Sequence, residues 1–292
     1  MRLDEFDPNS VNVEDQRGSG GGGGGGFSVG RGGQVGCGTL VIALVLSYFL
    51  GVDPGQMLGG LQQVAPQEQS GGPVAGTNAS ESCKVDQASL ESCNALSSLN
   101  KTWQPIFAAA NMKFAPPGLV FYQNVGSSGC GSAQSAMGPF YCPEDQKIYL
   151  DTDFYRQMDQ ELGATGQFAR DYVIAHEYGH HIQRMTGISD QIRSAQQQNP
   201  RAANQLSVRL ELQADCYAGI WAGKNKDRLD KGDMESGLNA AHQIGDDNLM
   251  RSAGRNPNEA AFTHGSSAQR MDALRRGMQS TDDAVCDVYM KQ

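Results

Sequence analysis

The segment from Val173 to Gln183 reads V-I-A-H-E-Y-G-H-H-I-Q, so His176, Glu177 and His180 form the pattern H-E-x-x-H. On a helix, residues four positions apart differ by about 40° of rotation, which brings both imidazoles to one side. Two neutral imidazole nitrogens at that spacing can bind one Zn²⁺. The adjacent carboxylate can then take a proton from water activated by the ion. The segment predicts a catalytic zinc site that hydrolyses amide bonds. A helix with two structural histidines is the alternative.

A catalytic zinc site also needs a third protein ligand and an open position for water. Glu211 and Asp215 lie four residues apart in E-L-Q-A-D, so a helix places them on one face. We predict that Glu211 binds the metal and that Asp215 accepts the second N–H of a ligand histidine, which fixes the tautomer of that histidine. A solvated pair of acidic residues is the alternative. His181 projects about 100° away from His180 and is predicted to be capped or exposed.

A second group of residues could act beside the metal. His264, in T-H-G-S-S, is predicted to stabilise the oxyanion of a tetrahedral intermediate, and a structural turn histidine is the alternative. Arg270 is a weaker candidate for that role, because a helical arginine is more often an ion-pair partner. His242, in A-A-H-Q-I-G-D-D, is predicted to pack against Asp246 or Asp247.

The chain has seven cysteines, and six of them lie beyond an apolar run near the N-terminus. The absence of any C-x-x-C pair argues against a cysteine zinc site or a thioredoxin-type motif. Up to three disulfides are expected if this part of the chain lies outside the cytosol, and unlinked buried thiols are the alternative. Sequence alone does not fix the connectivity. The simplest pairing is Cys83–Cys93, Cys130–Cys142 and Cys216–Cys286.

The N-terminal part of the chain differs in composition from the rest. Residues 1–34 are polar and then glycine-rich, with an unbroken glycine run from Gly20 to Gly26. Such a segment cannot bury enough apolar surface to order itself, so a disordered tail is predicted. The net charge of −9 argues against a nucleic-acid partner.

Residues 35–52 carry no charge and are just long enough to span a bilayer as one helix. A buried core helix and a cleaved signal peptide are the alternatives. Arg17 and Arg31 precede this run, and the next basic residue after it is Lys84. The positive-inside rule therefore predicts a cytoplasmic tail and an exported remainder.

The remaining residues predict a linker and one domain. Residues 53–82 are rich in Gly, Gln, Pro and Ser, which is typical of a linker. Residues 83–292 are predicted to form a mostly helical α+β domain with a small sheet. Because Pro139 cannot donate to a strand ladder, its strand is predicted to be an edge that could dock an extended peptide. The predicted elements are a helix at 86–112, strands at 119–125, 136–142 and 147–151, a glycine/serine loop at 126–131, and further helices at 168–185, from Pro200 past Trp221, at 231–253 and at 266–279.

The order H-E-x-x-H followed by E-x-x-x-D resembles the gluzincin peptidases. Over nearly its full length, the chain more closely resembles the bacterial putative neutral zinc metallopeptidase family. That resemblance implies His176, His180 and Glu211 as zinc ligands, Glu177 as the catalytic carboxylate, and a membrane-anchored bacterial protein. The strings that carry it are N-V-E-D-Q-R-G, F-L-G-V-D-P-G, G-C-G, A-M-G-P-F-Y-C-P, K-I-Y-L-D, H-E-Y-G-H-H, E-L-Q-A-D-C, I-G-D-D and F-T-H-G-S-S-A-Q-R.

These observations together predict a zinc metalloendopeptidase of the gluzincin type, with Zn²⁺ as cofactor and a protein or peptide as substrate. It is expected to be a single-pass protein of the bacterial inner membrane, in contact with the lipid bilayer through residues 35–52. Its catalytic domain is expected outside the cytoplasm. The alternative is a catalytically inactive, zinc-stabilised binding or scaffold protein of the cell envelope. A closed site with four protein ligands would favour that alternative.

Overall fold

The structure is a computed structural model that describes residues 1–17 and 78–291. The described part of the chain is a mostly helical α+β fold with a small sheet, as predicted. Its strands are β1 (Asn12–Asp15), β2 (Gly118–Tyr122), β3 (Val125–Ser128), β4 (Gly131–Gln134), β5 (Phe140–Cys142) and β6 (Lys147–Asp151). Its α-helices are α1 (Ala79–Ser82), α2 (Gln87–Ala109), α3 (Phe154–Gln160), α4 (Gln167–Met185), α5 (Ile188–Gln198), α6 (Ala203–Lys224), α7 (Asp233–Gln243), α8 (Asp246–Ser252) and α9 (Ser267–Met278).

Four of the strands form one sheet in the order β1-β2-β6-β5. Strands β1, β2 and β6 are parallel, and β5 is antiparallel to β6. Strand β5 lies at the edge of this sheet, as Pro139 predicted, but it is shorter than expected because Gly138 turns the chain with φ 66°. The predicted glycine/serine loop forms the hairpin β3–β4 instead. The sheet therefore presents β5, its last strand, toward the helical part of the fold.

Residues 1–17 belong to the folded body, so the prediction of a disordered tail over residues 1–34 is wrong for them. Strand β1 lies alongside β2, with Val13 opposite Leu119. An added edge strand is stabilised by backbone hydrogen bonds to an existing sheet, so it needs few apolar side chains of its own. The apolar side chains of residues 1–17 that are buried in the main core are Met1, Phe6, Val11 and, within β1, Val13.

Arg17 fastens the end of this N-terminal segment. Its guanidinium lies 4.7 Å from the centre of the Phe121 ring and donates a 2.9 Å hydrogen bond to the carbonyl of Ser82. Because β1 and β2 share backbone hydrogen bonds, they must lie on the same side of any membrane. A single crossing by residues 35–52 would separate them. The pairing therefore argues against placing residues 1–17 and the rest of the fold on opposite sides, and the compartment of either part stays a prediction.

Residues 35–52 lie outside the described residues, as do residues 18–34 and most of the predicted linker. Within 1–17 and 78–291, no helix combines the length and the apolar character needed to cross a bilayer. The second described range starts at residue 78, before the predicted boundary at residue 83. Asn78 caps α1 by accepting a hydrogen bond from the backbone N–H of Ser80, which makes residues 78–82 part of the fold.

The predicted disulfides are confirmed in the pairing expected from the sequence. Cys83–Cys93 joins the end of α1 to α2, and Cys130–Cys142 joins the tip of the β3–β4 hairpin to the edge strand β5. Cys216–Cys286 joins α6 to a C-terminal 3₁₀ segment, Asp283–Met290. These bonds lie on three separate parts of the described chain, and one of them holds the edge strand in place.

Helix α4 runs through the helical layer and touches α6 at backbone distance. A Cβ atom on Gly179 of α4 would come within 2.8 Å of the Ala214 Cα on α6, so only glycine permits this approach. A Cβ on Gly277 of α9 would come within 2.0 Å of the Cys216 carbonyl on the other side of α6. These close contacts set the positions of α4, α6 and α9 relative to one another.

Candidate metal centre

Three side chains that the sequence predicts as ligands converge on one point. His176 and His180 project from the same side of α4, and Glu211 projects from α6 toward them. The Nε2 atom of His176 is 3.2 Å from one Glu211 carboxylate oxygen, and the Nε2 atom of His180 is 3.5 Å from the other. One donor atom from each residue lies within 4.8 Å of both others. The close packing at Gly179 is what allows α6 to bring Glu211 this near.

The donor set fits a zinc ion in type and in spacing. Zinc binds imidazole nitrogen and carboxylate oxygen at about 2.0–2.2 Å, and four-coordinate zinc sites are tetrahedral, so neighbouring ligand atoms are about 3.3 Å apart. The nitrogen-to-oxygen separations of 3.2 and 3.5 Å are close to that value, although they involve different oxygens of Glu211. Among residues 1–17 and 78–291 the cluster contains three ligand residues. A catalytic zinc site with an open position has that number.

The electrostatics of the cluster favour a positive charge between its donor atoms. Burial alone would lower the pKa of His176, but the carboxylates of Asp215 and Glu211 raise it to about 10. Burial alone would raise the pKa of Glu211, but His180, His264 and His176 lower it. The site therefore holds its carboxylate ionised and attracts a proton or a cation to the space beside it.

Asp215 lies behind His176, in the position that the sequence predicts. Its Oδ1 atom is 2.7 Å from His176 Nδ1 and also accepts a 2.6 Å hydrogen bond from the hydroxyl of Tyr172. Arg270 donates to both carboxylate oxygens, at 2.8 and 3.0 Å. Burial alone would raise the pKa of Asp215, but Arg270 and His176 lower it to about 2. The ionised Asp215 fixes the proton of His176 on Nδ1 and turns Nε2 toward Glu211.

Glu177 lies beside the ligands and is 8% exposed. Burial raises the pKa of its carboxyl group to about 7, against the opposing charge of His176 and a smaller opposing effect of the Tyr141 backbone. Tyr141 belongs to the edge strand β5, so this contact joins the edge strand to the zinc-binding helix. A carboxyl group whose pKa lies near neutrality is suited to accept and release a proton.

His264 lies close enough to interact electrostatically with Glu211, and Asp246 holds it from behind. Its Nδ1 atom is 3.1 Å from Asp246 Oδ1. Asp246 Oδ2 accepts hydrogen bonds from the backbone N–H groups of Thr263, His264 and Gly265 at 2.7, 2.7 and 3.1 Å. Burial alone would lower the pKa of His264, but Glu211 and Asp246 raise it. The loop thus presents a histidine that favours its protonated form.

Two further predictions from the sequence concern Arg270 and His242. Arg270 is 3% exposed and is committed to Asp215, so its ion-pair alternative is the one that the structure contains. The structure shows no hydrogen bond or ion pair from His242 to Asp246 or Asp247 among the described residues, so their packing stays a prediction. Asp246 holds His264, and Asp247 accepts hydrogen bonds from the backbone N–H and hydroxyl of Ser267. The tertiary approach of the loop before α9 decides this pairing, and sequence spacing does not reveal it.

His181 was predicted to be capped or exposed; its side chain is fully buried, and hydrogen bonds cap both ring nitrogens. The Nε2 atom lies 2.7 Å from the Ala115 carbonyl, which can only accept, so Nε2 carries the proton. The Nδ1 atom therefore accepts from the hydroxyl of Tyr141, at 3.0 Å. Burial lowers the pKa of His181 to about 4. This neutral histidine ties the edge strand to the helix that carries the ligands.

Sequence reasoning did not assign a role to several residues around the site. The sequence did not indicate a role for Tyr172 or Tyr141, because both lie in apolar stretches that are typical of a hydrophobic core. Asp246 lies in the string I-G-D-D, which marked it as unusual, but its partner could not be chosen without the fold. Gln183 carries no charge and lies inside a helix, so nothing in the pattern distinguished it from a surface residue.

Comparison with known proteins places the whole described fold within one family. A family model described as "Putative neutral zinc metallopeptidase" matches residues 3–289. The matched range includes the N-terminal strand, both ligand helices and the loop that carries His264. No solved structure shows a significant match.

Curated relatives cover most of the chain and carry no functional name. The chain is 42% identical over 290 residues to "Uncharacterized protein YpfJ" of Escherichia coli strain K12, covering 97% of this chain and 96% of that protein. It is 34% identical over 261 residues to "Uncharacterized protein Mb2605" of Mycobacterium bovis, covering 83% of this chain and 85% of that protein. The match to "Uncharacterized protein Rv2575" of Mycobacterium tuberculosis has the same extent and identity.

Proposed function

Because the chain belongs to the putative neutral zinc metallopeptidase family, we propose that it is a zinc-dependent endopeptidase of a protein or peptide substrate. One observation carries this proposal: the donor atoms of His176, His180 and Glu211 meet within 4.8 Å of one another, and Glu177 follows the first ligand on the same helix. A closed structural zinc site uses four protein ligands. The three in this cluster of described residues favour an enzyme over an inactive scaffold.

The two histidines and Glu211 would hold the metal through His Nε2 atoms and carboxylate oxygens. Zinc bound there supplies Lewis acidity toward a carbonyl oxygen and lowers the pKa of water at its open position to about 7. Asp215 keeps His176 in the tautomer whose Nε2 lone pair is free. Arg270 and Tyr172 hold Asp215 in turn, which makes the orientation of this ligand rigid.

Glu177 is the group that we propose moves the proton. Its carboxylate takes a proton from the attacking water and passes it to the nitrogen of the leaving amine. Burial raises its pKa toward neutrality, which suits a group that must both accept and release a proton. Tyr141 of the edge strand is close enough for its backbone to lower the pKa of Glu177, which supports placing that carboxylate beside a peptide on the strand.

His264 is proposed to stabilise the negative charge that develops on the carbonyl oxygen of the substrate. Asp246 occupies its Nδ1 side, which leaves Nε2–H as the donor when the ring is protonated. The raised pKa of His264 favours that protonated form. An N–H donor aimed at a developing oxyanion stabilises it more in the transition state than in the ground state.

Strand β5 is the surface on which we propose that an extended substrate segment lies. It is the outer strand of the sheet and adjoins α4, the helix that carries Glu177. An extended peptide can add to a free strand edge through backbone hydrogen bonds. The Cys130–Cys142 disulfide and the Tyr141–His181 hydrogen bond hold this edge in place before the substrate arrives.

Replacing Glu211 with alanine should lower zinc affinity by about 100-fold or more, a larger loss than removal of an outer hydrogen-bond partner usually causes. The reason is that the variant loses the anionic ligand and leaves two neutral imidazoles. Zinc content of purified protein by atomic emission, with chelator competition, measures the effect. Glu235→Ala, on the exposed face of α7, is the matched control. Full zinc occupancy in Glu211→Ala would remove Glu211 from the ligand set.

We also propose that the folded body, including residues 1–17, lies outside the cytoplasm, with residues 35–52 in contact with lipid. Three disulfides in the described chain support an oxidising compartment. The β1–β2 pairing supports a common location for the N-terminal segment and the rest of the fold. Residues 35–52 lie outside the described residues, and their uncharged composition supports the lipid contact.

Cysteine labelling tests this arrangement. In a Cys37→Ser background, a membrane-impermeant maleimide should label Asn9→Cys and Ser194→Cys to the same extent in intact spheroplasts, because both positions are exposed on one folded body. Labelling both after lysis gives the maximum for each. If Ser194→Cys is labelled in intact spheroplasts and Asn9→Cys only after lysis, the N-terminal segment lies across the membrane and the proposal fails.

A further inference from the structure

Gln183 is a fully buried polar residue that lies one helical turn after a proposed zinc ligand. Its side-chain oxygen is 2.9 Å from Nδ1 of His180. Its side-chain nitrogen donates to the backbone carbonyl of Leu210 at 2.7 Å and to the side-chain oxygen of Gln213 at 3.1 Å. Leu210 immediately precedes the ligand Glu211. One amide group therefore contacts a ligand on α4 and the backbone next to a ligand on α6.

These contacts fix which end of the amide faces the histidine. A backbone carbonyl can only accept a hydrogen bond, so the group 2.7 Å from Leu210 O must be the NH₂ end of Gln183. The oxygen end then faces His180 and can only accept, so Nδ1 of that histidine carries the proton. The Nε2 lone pair of His180 is left pointing toward Glu211, 3.5 Å away.

The two proposed ligand histidines thus have different supports. His176 is supported by an ionised carboxylate, Asp215, which Arg270 neutralises. His180 is supported by a neutral amide, which adds no charge to the buried site. Because the amide has both an acceptor and a donor, it can bind a histidine on one helix and a carbonyl on the next at the same time.

We propose that Gln183 is a positioning residue for zinc binding, which selects the Nδ1–H tautomer of His180 and fixes α6 relative to α4 at Glu211. This inference rests on the proposed metal site, but not on the reaction that the site catalyses. Outer hydrogen-bond partners of metal ligands change metal affinity by about 10–100-fold when they are removed. Gln183 is expected to lie within that range.

The test compares Gln183→Met with Gln213→Met by chelator competition for zinc. Methionine has a similar volume to glutamine and removes the hydrogen bonds without leaving a large cavity. Gln183→Met should weaken zinc binding by about 10–100-fold. Gln213→Met is the matched control, since it removes an equally buried amide but leaves the contact between Gln183 and His180. Its zinc affinity should stay close to that of the unchanged protein.

A second variant and a spectroscopic readout separate positioning from packing. Gln183→Glu keeps an oxygen acceptor for His180 but loses the donor to the Leu210 carbonyl, so it should recover only part of the affinity that Gln183→Met loses. Ring nitrogen chemical shifts of the zinc-loaded, ¹⁵N-histidine-labelled protein should show Nδ1–H at His180 in the unchanged chain and in Gln183→Glu. In Gln183→Met the Nδ1 signal should shift or broaden as the ring loses its partner.

The outcomes distinguish this inference from the proposed function. Equal losses in Gln183→Met and Gln213→Met, or no loss in Gln183→Met, would overturn the positioning role while leaving the zinc peptidase proposal intact. Zinc binding that weakens as expected in a protein with no peptidase activity would support the positioning role and overturn the proposed function. Failure of the unchanged protein to bind zinc would overturn both.

Discussion

The substitution Glu177→Gln is expected to reduce the rate of peptide hydrolysis by about 10²–10⁴-fold, the range typical of a lost general acid–base group. Zinc content should stay unchanged. The amide of glutamine has nearly the same shape as the carboxylate, but it cannot accept the proton of the attacking water. The three proposed ligands are untouched, so the metal should remain. Initial rates on an internally quenched peptide library and zinc analysis of the same preparation measure both quantities.

Glu161→Gln is the matched control for this substitution. It makes the same chemical change on an exposed surface and should leave both rate and zinc content unaltered. Comparing the exported proteins of cells that carry the unchanged chain with those of cells that carry Glu177→Gln would also reveal candidate substrates. Hydrolysis that survives in Glu177→Gln at the unchanged rate would show that another group is the base.

Replacing Asp215 with alanine should lower the free energy of unfolding of the metal-free protein by about 3–5 kcal/mol, because it leaves the Arg270 guanidinium buried without a carboxylate. Asp215 is fully buried and Arg270 is 3% exposed, so water cannot replace the lost partner without opening the core. The hydroxyl of Tyr172 also loses its acceptor. Urea denaturation monitored by tryptophan fluorescence measures the loss.

The control for this prediction is an ion pair of the same type on the surface. Arg184 donates to Asp190 at 3.1 Å, but both side chains are well exposed. Asp190→Ala should therefore change the free energy of unfolding by less than about 1 kcal/mol. A double variant, Asp215→Leu with Arg270→Met, should recover part of the stability lost in Asp215→Ala, since it leaves no unpaired charge in the core. If Asp215→Ala were no more harmful than Asp190→Ala, the buried pair would not stabilise the fold.

The ligand pattern could be predicted from sequence because it depends on helix geometry. His176 and His180 are separated by one turn of one helix, and so are Glu211 and Asp215. The meeting of α4 with α6 could not be derived from spacing, so Glu211 was predicted as a ligand only because the site needed a third one and because the family resemblance implied it. The physical cause of that meeting is the backbone contact at Gly179, which in the sequence is one glycine among 37.

The incorrect predictions share one cause: a sequence pattern describes one helix or strand and does not show which other element packs against it. His181 was predicted to be capped or exposed because it points away from His180, but that other face of α4 packs against the edge strand and is buried. Residues 1–17 were grouped with the glycine run that follows them, although their few apolar residues complete a sheet formed mainly by residues 118–151. Gln183 was not assigned a role, because the role of a neutral amide can be recognised only when its hydrogen-bond partners are known.

The contact between Arg17 and Ser82 makes the folding unit discontinuous in sequence. The described residues 1–17 and 78–291 contact each other at this point, although residues 18–77 separate them in the sequence. A fragment beginning at residue 78 would expose the β2 edge that β1 now covers. A short glycine–serine bridge from Arg17 to Asn78 would instead retain every contact described above. Such a shortened chain is the rational starting point for crystallisation.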